Sequence, residues 1–125
     1  MKIKGFTLLE IITVLVIVSG MAAFAIPNYM TTTERYRAEE GKQVLIALLA
    51  AQKRFNLDTG AYTGTLANLD VEIRPSAHFG APAVTTSTAN LANITRTGSY
   101  TLQINENGII SCSGGPANLC TKIGF

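Results

Sequence analysis

The chain has one histidine, His78, and two cysteines, Cys112 and Cys120, among its 125 residues. One imidazole does not suggest a nucleophile–histidine–acid triad, however many Ser, Thr and Asp residues surround it. A zinc site would need more ligands than these side chains supply. No glycine-rich loop follows a strand to cradle a phosphate. Asp58, Asp70 and Glu72 lack the spacing of a calcium loop and read as solvated surface acids. The sequence therefore offers no catalytic residue, no metal ligand set and no cofactor site. Charge is scarce as well, with 10 Lys and Arg against 8 Asp and Glu. Two of the bases, Lys2 and Lys4, precede an apolar run; without them eight bases face eight acids. That balance is no general footprint for nucleic acid, although a basic patch formed on folding would leave nucleic-acid binding open.

Residues 6–26 read FTLLEIITVLVIVSGMAAFAI, about the twenty residues a helix needs to cross a bilayer. Their only charge is Glu10, and no Lys or Arg follows before Arg35. The two leading lysines place the N-terminus in the cytoplasm and send the rest outward. Exposing this run to water would cost on the order of tens of kcal/mol, at roughly 1.5–3 kcal/mol per large side chain. It suits membrane lipid, or a bundle of identical helices. An ordinary secretory signal peptide is the alternative, cleaved near Met21-Ala22-Ala23 or Ala23-Phe24-Ala25. Glu10 argues against it. A carboxylate at membrane depth costs roughly 2.5–3.5 kcal/mol on insertion scales and marks function in a segment that is kept.

The stretch Gly5-Phe6-Thr7-Leu8-Leu9-Glu10, with its short basic leader, apolar continuation and Pro27, resembles the processing motif of type IV prepilins. The resemblance covers the first third of the chain. It implies that a prepilin peptidase in the membrane cuts after Gly5 and N-methylates the new terminus, Phe6. It implies an inner-membrane pilus assembly platform as partner. It also implies that Glu10 receives the amine of a neighbouring subunit's Phe6 and so sets the register of a filament, with Thr7 adding a hydroxyl. Phe6 and Glu10, four apart, share a helix face, and the carboxylate lies near the positive end of the helix dipole. The division expected is a cleaved leader over 1–5, a transmembrane and polymerisation helix over 6–29, and a globular domain over 30–125. A bend or local unwinding is expected between Gly20 and Pro27, because proline cannot donate to the carbonyl of Ala23.

Beyond Pro27, Val44, Leu48, Ala51 and Phe55 recur at helical spacing, with Leu45 and Gln52 flanking. The helix should run to about residue 58, with Gly60 as its stop. Arg35 and Glu39 form an expected i,i+4 ion pair. Gly41 should cost about 1 kcal/mol relative to alanine. From Gly60 the composition turns to Thr, Asn, Ser and Gly. A strand or two lies between 77 and 96. Tyr100, Leu102 and Ile104 alternate with polar residues, Asn107-Gly108 signals a tight hairpin, and Ile109–Cys112 forms the return strand. The fold class is α+β: a long N-terminal helix, transmembrane in its first half, packed on a small antiparallel sheet. If the domain is exported, Cys112 and Cys120 should pair; in the cytosol they would be free thiols.

Two assemblies fit the resemblance: a type IV pilus, for adhesion, motility or DNA uptake, and the short periplasmic pseudopilus of a type II secretion system. The major pseudopilins carry an acid-rich, calcium-binding C-terminal loop, whereas residues 111–125 here contain no Asp or Glu. The Cys-bounded C-terminal loop resembles a pilin instead. A secreted binding protein with an ordinary signal peptide is the reading from another class.

Overall fold

The computed structural model describes residues 5–116 and 118–125. Met1–Lys4, most of the expected leader, lie outside the described residues. The chain divides into two compact units, residues 1–33 and 34–125. Helix α1 spans Leu8–Thr59. A short 3-10 turn at Leu66–Asn68 follows. Then come β1 (Ala83–Val84), β2 (Ala92–Thr95), β3 (Tyr100–Ile104), β4 (Ile110–Gly114) and helix α2 (Leu119–Ile123). The four strands form one antiparallel sheet in the order β1-β2-β3-β4, each paired with its sequence neighbours.

In the second unit, α1 turns Ala38, Gly41, Leu45, Leu48 and Gln52 toward the sheet, a three-four-three-four spacing that draws one stripe along a helix. Leu91, Ala92, Ile94, Tyr100, Leu102 and Ile104 meet it from the sheet, with Phe79, Val84 and Ile123 closing the core. The buried stripe keeps Leu48 and Ala51 of the expected face but is turned toward its Leu45 and Gln52 flank. Val44 and Phe55 are only half-buried, while Leu45 and Gln52 are fully enclosed. Gly41 is the physical reason. A Cβ there would stand 2.9 Å from Phe79 Cζ and 3.0 Å from Leu102 Cδ1, so the missing side chain is what lets the sheet approach. Phe79 also meets Tyr100 edge to face, with ring centres 6.2 Å apart.

Gln52 is buried polar side chain in that stripe, and it is satisfied by backbone. Its Nε2 donates to Thr63 O at 2.6 Å and to Thr85 O at 3.3 Å. Its Oε1 accepts from Thr63 N at 3.0 Å. One amide thus ties the loop after α1 and the end of β1 to the helix. Helix α1 stops as expected at glycine: Gly60 adopts φ 80° and donates to Asn56 O at 2.8 Å.

The β3–β4 connection is longer than the tight turn expected from Asn107-Gly108. Strand pairing ends at Ile104↔Ile110. Asn105 N donates to Ile109 O, and Gly108 N to Asn105 O, closing a three-residue loop with Gly108 at φ 82°. Asn105 decides this. Its side-chain oxygen accepts from the N–H groups of Asn107 and Ile109, a turn mimic that starts the loop two residues earlier.

The expected Arg35–Glu39 pair is not formed. Glu39 takes Lys42 at 2.7 Å, and Arg35 Nε donates to Lys122 O at 2.8 Å. Glu34 accepts from Arg96 Nε and Nη2 at 2.8 and 2.9 Å and also pairs with Arg37. Arg96 reaches His78 O as well. The Arg96 hydrogen bonds hold the Glu34 carboxyl below the usual carboxylate range; partial burial opposes this and Arg37 reinforces it. Burial pushes the nearby Tyr100 phenol upward, and the Glu34 charge adds to the rise. At the surface, Asp70 is held by a two-pronged contact from Arg54.

Cys112, opposite Leu102 across the sheet, is bonded to Cys120 on α2 with a Cα–Cα distance of 5.7 Å. Ile123 then enters the core, and Phe125 lies under Lys42 Nζ at 4.5 Å from the ring centre.

Candidate functional site

Apart from the cysteines, the expected site residues fall in the first unit. Helix α1 begins at Leu8, and Thr7 caps it: Glu10 N donates to Thr7 Oγ1 at 3.2 Å. Thr7-Leu8-Leu9-Glu10 has the spacing of a capping box, a signal the sequence reading passed over. Only the threonine half is made, for the Glu10 carboxylate has no hydrogen bond or ion pair among the described residues. Gly5 and Phe6 lie before the cap, outside the helix.

From Phe6 to Ile26 almost every side chain is exposed, including Phe6 at 78% and Phe24 at 80%. Among the described residues α1 is the one helix long and apolar enough to cross a membrane. The hydroxyls of Thr13 and Ser19 in the apolar run are tied off internally. Thr13 Oγ1 donates to Leu9 O at 2.8 Å and Ser19 Oγ to Val16 O at 2.9 Å. In an apolar surround such internal bonds remove most of the cost of a hydroxyl. Glu10 is therefore the polar side chain of the run that still needs a partner, and a cation is what would satisfy it. It sits in the first turn, where the free N–H groups favour negative charge.

Gly20 and Pro27 both lie inside α1, whose helical structure continues through each. Cys112 and Cys120 come together in the second unit, as the bonded pair described above. Among the described residues no three His, Cys, Asp or Glu side chains gather as a metal would require. A cavity of about 240 Å³ lies beside Val44, Leu66, Ile73, Phe79 and Ile94; its lining is mainly apolar and carries no acid–base pair.

No family model matches the chain, and no solved structure matches it significantly. Curated proteins do. The type IV major pilin protein PilA of Myxococcus xanthus is 40% identical over 60 residues, covering 48% of this chain and 27% of that one. The type II secretion system core protein G of Aeromonas hydrophila is 34% identical over 75 residues, 59% of this chain and 52% of that one. The protein of the same name from Escherichia coli K12 is 35% identical over 69 residues, 55% and 48%. Over these stretches the chain is similar to a type IV major pilin and to type II secretion core proteins G. It spans about half the length of these curated relatives, or less. The α+β layout, with an exposed apolar N-terminal helix, is the one the pilin resemblance implies. That helix and these relatives fit an inner-membrane precursor. Neither relative's name describes an enzyme.

From sequence Gly41 reads only as a helix cost and not as the point of close approach to the sheet, and the Glu34–Arg96 pair is not singled out. A glycine within an otherwise regular helix was the available signal for the first. The second joins residues far apart in the chain, and no local pattern announces it.

Proposed function

We propose that this chain is a structural subunit of a type IV pilus, and not an enzyme. It enters the inner membrane as a prepilin with its N-terminus in the cytoplasm. The peptidase cuts between Gly5 and Phe6 and methylates Phe6. The assembly platform then moves the subunit from lipid into a filament of identical or related subunits, for adhesion, motility or DNA uptake. The observation that carries this is Glu10: a carboxylate without a partner among the described residues, in the first turn of α1, within an exposed apolar run whose Thr13 and Ser19 hydroxyls are satisfied internally. An incoming Phe6 amine from the next subunit would neutralise it, and Thr7 lies beside that meeting point. Gly20 and Pro27 are the weak points at which α1 bends in the filament.

The test replaces Glu10 with Gln, which keeps size and removes charge. Insertion and cleavage should proceed, while sheared filaments become scarce and mature protein accumulates in the membrane. Filaments in normal yield would refute the role given to Glu10. Replacing Gly5 with a bulky residue should leave uncut precursor in the membrane.

The pseudopilin reading rests on the core protein G relatives, whose matches extend over more of this chain than the pilin match does. The absence of acids from residues 111–125 favours the pilus. Electron microscopy of cells with and without the chain separates the two, since long surface filaments should depend on it. A mature N-terminus beyond Ala22 would instead support a secreted binding protein.

A further inference from the structure

Arg35 and Lys122 are both exposed cations, and Arg35 Nε is fixed to the Lys122 carbonyl at 2.8 Å. That single bond orients the guanidinium and leaves its two terminal nitrogens without a partner among the described residues. Two of the acids nearest in sequence are engaged elsewhere. Glu34 is held by Arg96 and Arg37, and Glu39 by Lys42. Glu40 lines a groove with Arg74 and Pro75. Tyr36, next to Arg35, is 74% exposed. Arg35 and Tyr36 therefore stand near the start of the second unit, Arg35 is joined to the backbone of the exposed Lys122, and neither cation has an ion pair among the described residues.

Their place in the chain indicates what they meet. Six residues after the expected membrane segment ends at Tyr29, Arg35 is held within about 9 Å of that end along a helix, or about 20 Å if extended. The headgroup layer is about 5–8 Å thick on each side of the hydrocarbon core. Arginine and lysine side chains cross the remaining distance, and tyrosine favours the membrane interface.

We propose that Arg35 and Lys122, with Tyr36 beside them, bind the phosphate of an anionic phospholipid headgroup on the outer face of the membrane that α1 spans. Arginine's free fork suits a phosphate's paired oxygens, and the lysine adds a second charge. The bound lipid would hold the domain at the bilayer until the subunit is withdrawn. This inference rests on the membrane-spanning reading of residues 6–29.

The experiment reconstitutes the full chain in nanodiscs of phosphatidylcholine containing trace spin-labelled phosphatidylglycerol or spin-labelled phosphatidylcholine. The relative association of each probe with the protein is read by electron spin resonance. Wild type should prefer phosphatidylglycerol. The Arg35→Gln/Lys122→Gln variant should lose about fivefold of that preference per cation removed. Arg35→Lys, which keeps the charge, should retain most of it, as should Lys53→Gln, an exposed lysine farther along α1. Excess inorganic phosphate should not compete, because the site takes the headgroup at the bilayer surface. Equal association of both probes with wild type, or undiminished preference in the double variant with its disulfide intact, would overturn the proposal. Failure of the chain to enter nanodiscs would overturn the membrane-spanning reading itself.

Discussion

Replacing Gln52 with Leu keeps the size of the side chain and removes all of its hydrogen bonding. The Thr63 N–H, now facing an acceptor at 3.0 Å, would be left unpaired in a buried site. That alone costs about 1–3 kcal/mol. The carbonyls of Thr63 and Thr85 lose their donors, at about 0.5–1.5 kcal/mol each. The added apolar surface of leucine returns about 1–2 kcal/mol. The net expectation is a loss of about 2–3 kcal/mol, centred on the loop after α1. Gln52→Glu separates donor from acceptor. Its carboxylate still accepts from Thr63 N, but it cannot donate, and burial raises its folded pKa above the unfolded value. Stability of that variant should therefore fall as pH rises, so it should be firmer at pH 5 than at pH 7. The assay is urea unfolding of the full chain in mild detergent, followed by the near-ultraviolet circular dichroism of its tyrosines. A Gln52→Leu midpoint matching wild type would show that these bonds contribute nothing net, and the reasoning would fail.

Gly41→Ala should destabilise by about 1–2 kcal/mol despite alanine's better helix propensity, because its Cβ would overlap Phe79 and Leu102; thermal unfolding measures it. Reducing the Cys112–Cys120 bond should cost about 2.5 kcal/mol in the chain-entropy model, and the folded protein should show no free thiol before reduction. Glu34 has a lowered folded pKa, so its contribution is present above the unfolded value of a glutamate and is lost as pH falls through the folded one. Acid unfolding below about pH 4.5 should accordingly be less steep in Glu34→Gln, read from the pH dependence of the urea midpoint.

What was legible in the sequence was whatever repeats or punctuates locally. The unbroken apolar run, the stop at Gly60 and the alternation of Tyr100, Leu102 and Ile104 each correspond to an element of the structure. The helix face was read one residue off because hydrophobicity alone was counted. A glycine contributes nothing to such a count, yet Gly41 sets where helix and sheet come closest. The same count left Gln52 at the flank of the face, because its value lies in backbone partners that follow it by more than ten residues. Arg35 was paired with Glu39 by helical spacing, but Lys42 competes for that acid from the other side and wins it. Of the candidate site, the uncompensated Glu10 was plain from its surroundings, whereas the capping role of Thr7 needed the helix start to be known.

The order of the sheet has a kinetic side. Each strand pairs with the strand next to it in sequence, across connections at residues 85–91, 96–99 and 105–109. Short closures cost little chain entropy, so the sheet can assemble from its own residues in quick local steps. The slow event should be the landing of α1, which must bring Leu45, Leu48 and Gln52 across the intervening residues 60–82 onto a surface already formed. A domain built this way tolerates a long detour between helix and sheet, because lengthening that one connection delays docking without disturbing the register of any strand.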